Sequence, residues 1–155
     1  MTHRLSAIVL DEARVAGRSR AIEQEREVAV SDLLEANVFQ PEGFSAGPYH
    51  LTLGIEENRL VLDVRLEDGS GHNRIQLALS PLRKTVKDYF LICETYYKAI
   101  RTAPPHQIES LDMARRAVHD EGARALQARL AGKVETDFDT ARRLFTLVCV
   151  LQMRD

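Results

Sequence analysis

The middle of the chain alternates between hydrophobic and polar positions with a period of two. Three such runs cover residues 51–55, 60–66 and 75–79. This period is typical of strands that have one apolar and one solvated face. Glu57-Asn58 and Asp68-Gly69-Ser70-Gly71 lie between the runs and are residues that form tight turns. The pattern predicts a three-stranded antiparallel meander with one apolar face.

Two elements are predicted before the meander. The short run from Leu5 to Asp11 is rich in Leu, Ile and Val, which indicates a buried strand whose direction in the sheet the sequence leaves open. Residues 20–38 carry apolar side chains at helical spacing, and Ser19 is a suitable N-cap residue. We therefore expect a strand and an amphipathic helix, followed by a loop rich in Pro and Gly over residues 40–48.

After Ser80 the hydrophobic period becomes helical, and three helices are predicted. They cover residues 81 to about 102, about 106 to 131, and 136 to the end of the chain. Ser80-Pro81 should begin the first of them, with Ser80 as the capping side chain and Pro81 at the first helical position. Gly122 is a predicted weak point and Gly132 a predicted end of the second. Thr136-Asp137-Phe138-Asp139 should open the third with capping oxygens, and this helix has two apolar sides and should be the most buried.

These elements predict an α+β fold: an antiparallel sheet of three to four strands with one face covered by about four helices. The chain has 155 residues, of which 45% are hydrophobic and 28% charged. A chain of that length and composition has room for one sizeable core. We expect a single domain over residues 1–155.

Charge and hydropathy exclude several classes of function. The formal net charge is −2, which makes general nucleic-acid binding improbable because such binding requires an excess of Lys and Arg. The apolar run from Leu144 to Leu151 is too short to span a membrane. Cys93 and Cys149 lie in apolar runs, where we expect buried free thiols. A cytoplasmic protein without membrane association is predicted.

Motifs for metal, nucleotide or hydrolase chemistry are missing from the sequence. His106 with Glu109 is the one His-carboxylate pair at helical spacing in a predicted helix, and two ligands fall short of a metal site. Glycine-rich phosphate loops and nucleophile elbows do not occur. The sequence therefore predicts neither a metal nor a cofactor, and it favours a function other than catalysis.

Basic side chains are the candidate binding groups. The candidates for anion binding are Arg83, Lys84, Lys87, Arg115, Arg116, His119 and Arg143. The first three lie in the opening turns of a predicted helix, where free amides and cations favour an anion. A solvated helix face explains the same three residues, and we prefer that interpretation.

The second group lies on the helix that follows. Asp112 is three and four residues before Arg115 and Arg116, and Arg116 is four before Asp120, so a lattice of ion pairs is predicted. His119 in this lattice could titrate near neutrality and act as an acid, a base or a pH sensor. A structural or surface role is favoured because no nucleophile is adjacent.

Arg142-Arg143 on the last helix forms the third group. Two arginines cannot both be buried without partners, so at least one should meet a carboxylate, for which Asp137 and Asp139 are available. A structural Arg-Asp bridge is the preferred interpretation. Arg143 is the residue we would assign to an anionic ligand.

The longest distinctive segments resemble a known protein family. The order IVLDE, IEQEREVAVSDLLEAN, GPYHLTL, RLVLDVR, ALSPLRKTVKDYFLICETYYKAIRTA and DFDTARRLFTLVCVL is similar to that of Uncharacterised Protein Family 0262. The likeness covers nearly the whole chain and implies a bacterial, cytosolic protein. It carries over no catalytic residue.

Three classes of function stay open on the sequence. The first is a regulatory or adaptor domain that binds another protein, which the lack of a complete catalytic constellation favours. The second is a binder of small anions or nucleotide phosphates, and the third is an enzyme that uses His119. Ligand, partner and oligomeric state are not predicted.

Overall fold

In a computed structural model the described residues are 3–11 and 20–152, and they form six strands and four helices. The strands are β1 (Leu5–Leu10), β2 (Phe39–Pro41), β3 (Tyr49–Glu56), β4 (Arg59–Leu66), β5 (His72–Ala78) and β6 (Val134–Thr136). The helices are α1 (Arg20–Glu35), α2 (Arg83–Thr102), α3 (Pro105–Leu130) and α4 (Phe138–Gln152). The fold is α+β, as the sequence predicted, and the Ser19 cap lies outside the described residues.

The main sheet has the strand order β1-β3-β4-β5. Strands β3, β4 and β5 pair antiparallel, which confirms the predicted meander. Glu57 and Asn58, in the first turn, have φ angles of 50° and 64°. Two successive positive φ angles are what a two-residue hairpin turn of the favoured twist requires. Gly69 in the second turn has a φ of 79°.

Strand β1 joins the sheet parallel to β3, the direction that the sequence left open. Asn37, just after α1, fixes this arrangement. Its amide accepts a hydrogen bond from the Leu5 nitrogen at 2.7 Å and donates to the Leu5 oxygen at 3.1 Å and the Leu33 oxygen at 2.8 Å. One side chain therefore ends α1 and ties it to the edge strand.

The apolar face of the sheet and the inner faces of the helices belong to one hydrophobic core. Helix α4 contributes nine buried residues to the interior, more than any other helix of the described chain. This confirms the prediction that the last helix is the most buried. Cys93 and Cys149 are free and buried, also as predicted.

The start of α2 differs from the prediction. Ser80 does not cap the helix, because residues Ser80–Leu82 already form a 3-10 turn that leads into it. In this turn the Leu82 nitrogen donates to the Leu79 oxygen at 2.8 Å, and the Arg83 nitrogen donates to the Ser80 oxygen. Two amides that an anion would need at this helix start are thus already hydrogen bonded.

A second, two-stranded sheet of β2 and β6 was not predicted from the sequence. Each of these strands has three residues, too few to show an alternating pattern. The pair brings the end of α1 to the start of α4, where the Val38 nitrogen donates to Thr140 Oγ1 at 2.9 Å. The small sheet therefore sets how α1 lies against α4.

Asp137, which belongs to the segment predicted to open α4 with capping oxygens, caps this helix and provides a test of the junction. Its Oδ1 accepts a hydrogen bond from the Thr140 nitrogen at 3.0 Å. Asp137→Ala should lower the free energy of unfolding by about 1 kcal/mol, because one amide of the first turn loses its acceptor. Chemical denaturation measures this change, and Asp137→Asn, which keeps the acceptor, should cost less than half as much. Equal losses in both variants would contradict the capping role.

No helix in the described part of the chain combines the length and the apolar character that crossing a bilayer requires.

Candidate ligand-binding cavity

A cavity of about 430 Å³ opens where the four helices meet, and we call it the helix cavity. Its lining residues are Ala21, Gln24, Glu25, Val28, Ala29, Asp32, Tyr97, Arg115, His119, Asp139, Arg142, Arg143 and Thr146. The volume lies within the range of about 300 to 1,000 Å³ that is usual for small-molecule sites. Mixed polar and apolar lining of this kind suits a small organic ligand.

Helical spacing explains how these side chains reach one space. The lining residues of α1 recur at intervals of three and four from position 21 to position 32, and those of α4 do so from 139 to 146. Residues at these intervals share one face of a helix. Two on α3, Arg115 and His119, are also four positions apart. The cavity is therefore bounded by three helix faces, with Tyr97 of α2 completing it.

Arg115 is held rigidly at the edge of this space. Its Nη2 donates to Asp112 Oδ1 at 2.8 Å, and its guanidinium carbon lies 4.5 Å from the centre of the Tyr96 ring. The Arg115 Nε atom is buried and has no hydrogen-bond acceptor among the described residues. A buried donor without an acceptor costs free energy, so the position of Arg115 depends on its contacts with Asp112 and Tyr96.

The two arginines of α4 differ in their partners. Arg142 pairs with Asp120 at 3.1 Å and with Asp139 at 3.7 Å, which confirms that at least one of the two meets a carboxylate. The close contact of Arg142 Nε with Asp120 Oδ1 lacks hydrogen-bond alignment, and both atoms are buried. Arg143 is half-buried and forms no ion pair with any residue in ranges 3–11 and 20–152.

Acidic side chains stand on the α1 side of the cavity. The Glu25 carboxylate accepts a hydrogen bond from the Tyr89 hydroxyl at 2.9 Å. Burial, with the Glu25 carboxylate as a second cause, raises the pKa of Tyr89 and of Tyr97, so both hydroxyls keep their protons as donors. Asp32 lines the same wall one turn from Val28. The described residues hold no group of three or more His, Cys, Asp or Glu side chains that could bind a metal ion.

His119 forms the boundary between the cavity and the core. The residue is 9% exposed, and its ring packs against Tyr89 and Phe145 at centroid distances of 5.1 and 5.3 Å. Its Nε2 is 2.7 Å from Thr146 Oγ1. Burial, followed by the positive charge of Arg142, lowers the pKa of His119 to about 4. The idea that His119 titrates near neutrality is therefore wrong, and the imidazole is neutral at pH 7.

Cys93 lies close to the same cluster without the properties of a nucleophile. It is 3% exposed, and burial raises the pKa of its thiol to about 11. The thiolate, which is the reactive form, is therefore scarce at neutral pH. Cys93 is therefore poorly suited to act as a nucleophile.

The structure brings only part of the predicted anion-binding set together. Arg115, His119 and Arg143 line the helix cavity. The other four lie outside its lining: Arg83 donates to Asn58 Oδ1, Lys84 pairs with Asp88 at 2.8 Å, Arg116 pairs with Asp112 at 2.9 Å, and Lys87 is exposed. The predicted pair of Arg116 with Asp120 is replaced by the contact of Asp120 with Arg142.

Sequence reasoning missed the acidic wall of the cavity. Neither Glu25 nor Asp32 was singled out as a candidate binding residue. The sequence does contain a signal for this wall, which is a helix face more polar than the core face. Its residues recur at helical spacing and are Ala21, Glu25, Val28 and Asp32. Only the packing of α1 against α4 shows that this face looks onto basic residues.

The family model of the Uncharacterised protein family (UPF0262) matches residues 2–154 of the sequence. The chain belongs to this family. A UPF0262 protein of Phenylobacterium zucineum (strain HLK1) is 58% identical over 98% of the chain and 94% of that relative. UPF0262 proteins of Rhodopseudomonas palustris (strain BisA53) and Bradyrhizobium sp. (strain ORS 278) are 56% and 54% identical, over 96% and 99% of the chain and 91% and 92% of the relatives.

The comparisons show a bacterial family, and the printed names of these UPF0262 relatives state no activity. No solved structure matches the chain. The functional argument for this UPF0262 member therefore depends on the geometry of the helix cavity.

Proposed function

We propose that the protein binds a small organic molecule in the helix cavity through a carboxylate or phosphate group held by Arg115 and Arg143. The observation that carries this proposal is the convergence of the two guanidinium groups on one space of about 430 Å³. Arg115 is held in place by Asp112, and Arg143 has no ion pair with a described residue. Arginine is well suited to such groups because its planar fork matches two oxygens.

Binding of a small molecule accounts for the cavity better than docking of another protein does. A docking surface is commonly flat, with an apolar centre. Here the functional groups line a concave space, and one of them, Arg115, is fixed by Asp112 and Tyr96. Fixed groups lose little conformational entropy on binding, which favours affinity for a small ligand.

We place this activity in the cytoplasm. Both cysteines are free thiols, which is the usual state of cysteines in that compartment. The low net charge of −2 also agrees with a protein that handles small solutes rather than nucleic acids or anionic membranes.

Thermal unfolding against a panel of carboxylates and phosphates tests the proposal. A ligand at 100 times its dissociation constant raises the free energy of unfolding by about 2.7 kcal/mol, which is a readily measured shift of the midpoint. For any compound that stabilises the protein, Arg143→Ala should weaken binding by roughly tenfold or more, because a charge-assisted hydrogen bond contributes about 1.5 to 3 kcal/mol.

Arg83→Ala is the matched control, since Arg83 was a candidate from the sequence and lies outside the cavity lining. We expect this variant to keep the affinity of the unchanged protein. Loss of binding in Arg83→Ala with full binding in Arg143→Ala would place the anion at the start of α2 and overturn the assignment. A panel without any stabilising compound would also count against it.

A further inference from the structure

The charges of the described residues that line the helix cavity balance. Within ranges 3–11 and 20–152 the lining has three arginines and three carboxylates, the latter being Glu25, Asp32 and Asp139, while His119 is neutral. A site for a multiply charged anion would need an excess of positive charge, because neighbouring carboxylates repel such a ligand. A balanced lining is instead complementary to a molecule that has both signs of charge.

The basic and acidic side chains of the lining lie mainly on different helices. Basic groups come from α3 and α4, and the carboxylates of Glu25 and Asp32 come from α1, which packs against α4. Asp139 belongs to the α4 face, where it pairs with Arg142 at 3.7 Å. The cavity thus has a basic wall and an acidic wall that face each other.

Each wall has a charged side chain that no described residue engages. Neither the Arg143 guanidinium nor the Asp32 carboxylate has a hydrogen-bond or ion-pair partner within ranges 3–11 and 20–152. Both residues are half-buried, so their hydration is already reduced. Half-buried charges without partners are costly, and ligand groups of opposite charge would offset that cost.

We infer that the ligand is a zwitterion whose carboxylate or phosphate meets Arg143 and whose ammonium group meets Asp32. The inference rests on the proposed function and adds the ammonium group to it. Val28, which is 52% exposed on α1 between the two carboxylates, and the ring of Tyr97 offer apolar contact to the carbon skeleton between the charged ends. A zwitterion with a short apolar skeleton can contact the basic residue, the acidic residue and the apolar side chains at the same time.

Three probes of equal carbon-chain length separate the contributions of the anionic group and the ammonium group to binding. They are pentanoate, 5-aminopentanoate and pentylammonium. Titrations followed by amide chemical shifts would be measured on the full chain at pH 7, with each probe raised to tens of millimolar. We expect 5-aminopentanoate to bind at least tenfold more tightly than pentanoate. Asp32→Asn should remove that advantage and raise the affinity for pentanoate, because it deletes a nearby negative charge at nearly constant shape.

The outcomes distinguish the two proposals. If pentanoate binds, Arg143→Gln weakens it, and 5-aminopentanoate shows no advantage, the anion site stands and the zwitterion inference is wrong. An advantage of 5-aminopentanoate that persists in Asp32→Asn also overturns the inference. Tighter binding of pentylammonium than of both other probes, or no binding of any of the three, would overturn both proposals. Circular dichroism and unfolding midpoints of the variants would exclude misfolding as the cause of any loss.

Discussion

Gly122→Ala is expected to lower the free energy of unfolding by at least about 2 kcal/mol, although alanine is the better helix former. Gly122 is a buried residue of α3, and a methyl group there would overlap the ring of Phe145, with Cε1 only 2.5 Å away. Helix propensity alone would favour alanine by about 1 kcal/mol. Overpacking of a close-packed core costs about 1 to 3 kcal/mol or more.

The position of the Phe145 ring decides which of these effects wins. Phe145 is fully buried and contacts the rings of Tyr89 and His119, so the ring has no free space into which to move. In a domain of this size a loss of 2 kcal/mol lowers the melting temperature by roughly 4 to 8 °C. Thermal and urea unfolding would both measure the change.

A double-mutant cycle identifies the cause of this effect. Phe145→Leu removes most of the ring and destabilises the protein by itself, but in that background Gly122→Ala should cost much less than in the unchanged protein. A stabilising effect of Gly122→Ala alone would show that α3 and α4 do not approach each other as described.

The second large effect concerns acid stability and depends on His119. Well above pH 6.5 the imidazole is neutral in both folded and unfolded chains, so its contribution to stability does not vary with pH. Between pH 6.5 and its folded pKa of about 4 the unfolded chain binds a proton that the folded protein excludes, and stability falls as the pH falls. The protonation of this group lowers the free energy of unfolding by about 3 kcal/mol in total, and the decrease is complete below pH 4.

His119→Gln tests this contribution by removing the titrating group and keeping a polar side chain for Thr146. The variant should lose less stability than the unchanged protein between pH 6.5 and pH 4, as measured by urea unfolding at several pH values. His106→Gln, at an exposed position of the same helix, controls for the loss of an imidazole. Parallel pH profiles for His119→Gln and the unchanged protein would mean that His119 is accessible to protons in the folded state.

Most of the fold could be predicted from the sequence, because hydrophobic periodicity is a local signal. The alternation in β3, β4 and β5 and the helical stripes in α1 to α4 each depend on side chains a few positions apart. Glycine also acts locally, and Gly132, with a φ of 87°, lies beyond the last residue of α3 as predicted. The direction of β1 and the β2-β6 pair depend on contacts between distant segments and could not be predicted in this way.

The binding cavity illustrates the same limit. Arg115, His119 and Arg143 were candidates because charged residues are conspicuous in a helical pattern. Their separation from Arg83 and Arg116 follows from the packing of α1, α3 and α4. A local sequence pattern contains no information about this packing. The acidic wall could not be predicted for the same reason. Asp32 becomes a candidate only when the structure places it opposite the basic wall.

The central claim is that Arg115 and Arg143 bind the anionic group of a small molecule inside the helix cavity. The most direct measurement is the arginine side-chain Nε–H spectrum of ¹⁵N-labelled protein during titration with 5-aminopentanoate, with assignments from Arg115→Lys, Arg143→Lys and Arg83→Lys. The account predicts that the Arg115 and Arg143 signals shift on binding, because the anionic group of the ligand comes to lie beside both guanidinium groups, while the Arg83 signal stays in place. A shift of Arg83 with Arg115 and Arg143 unmoved would contradict it.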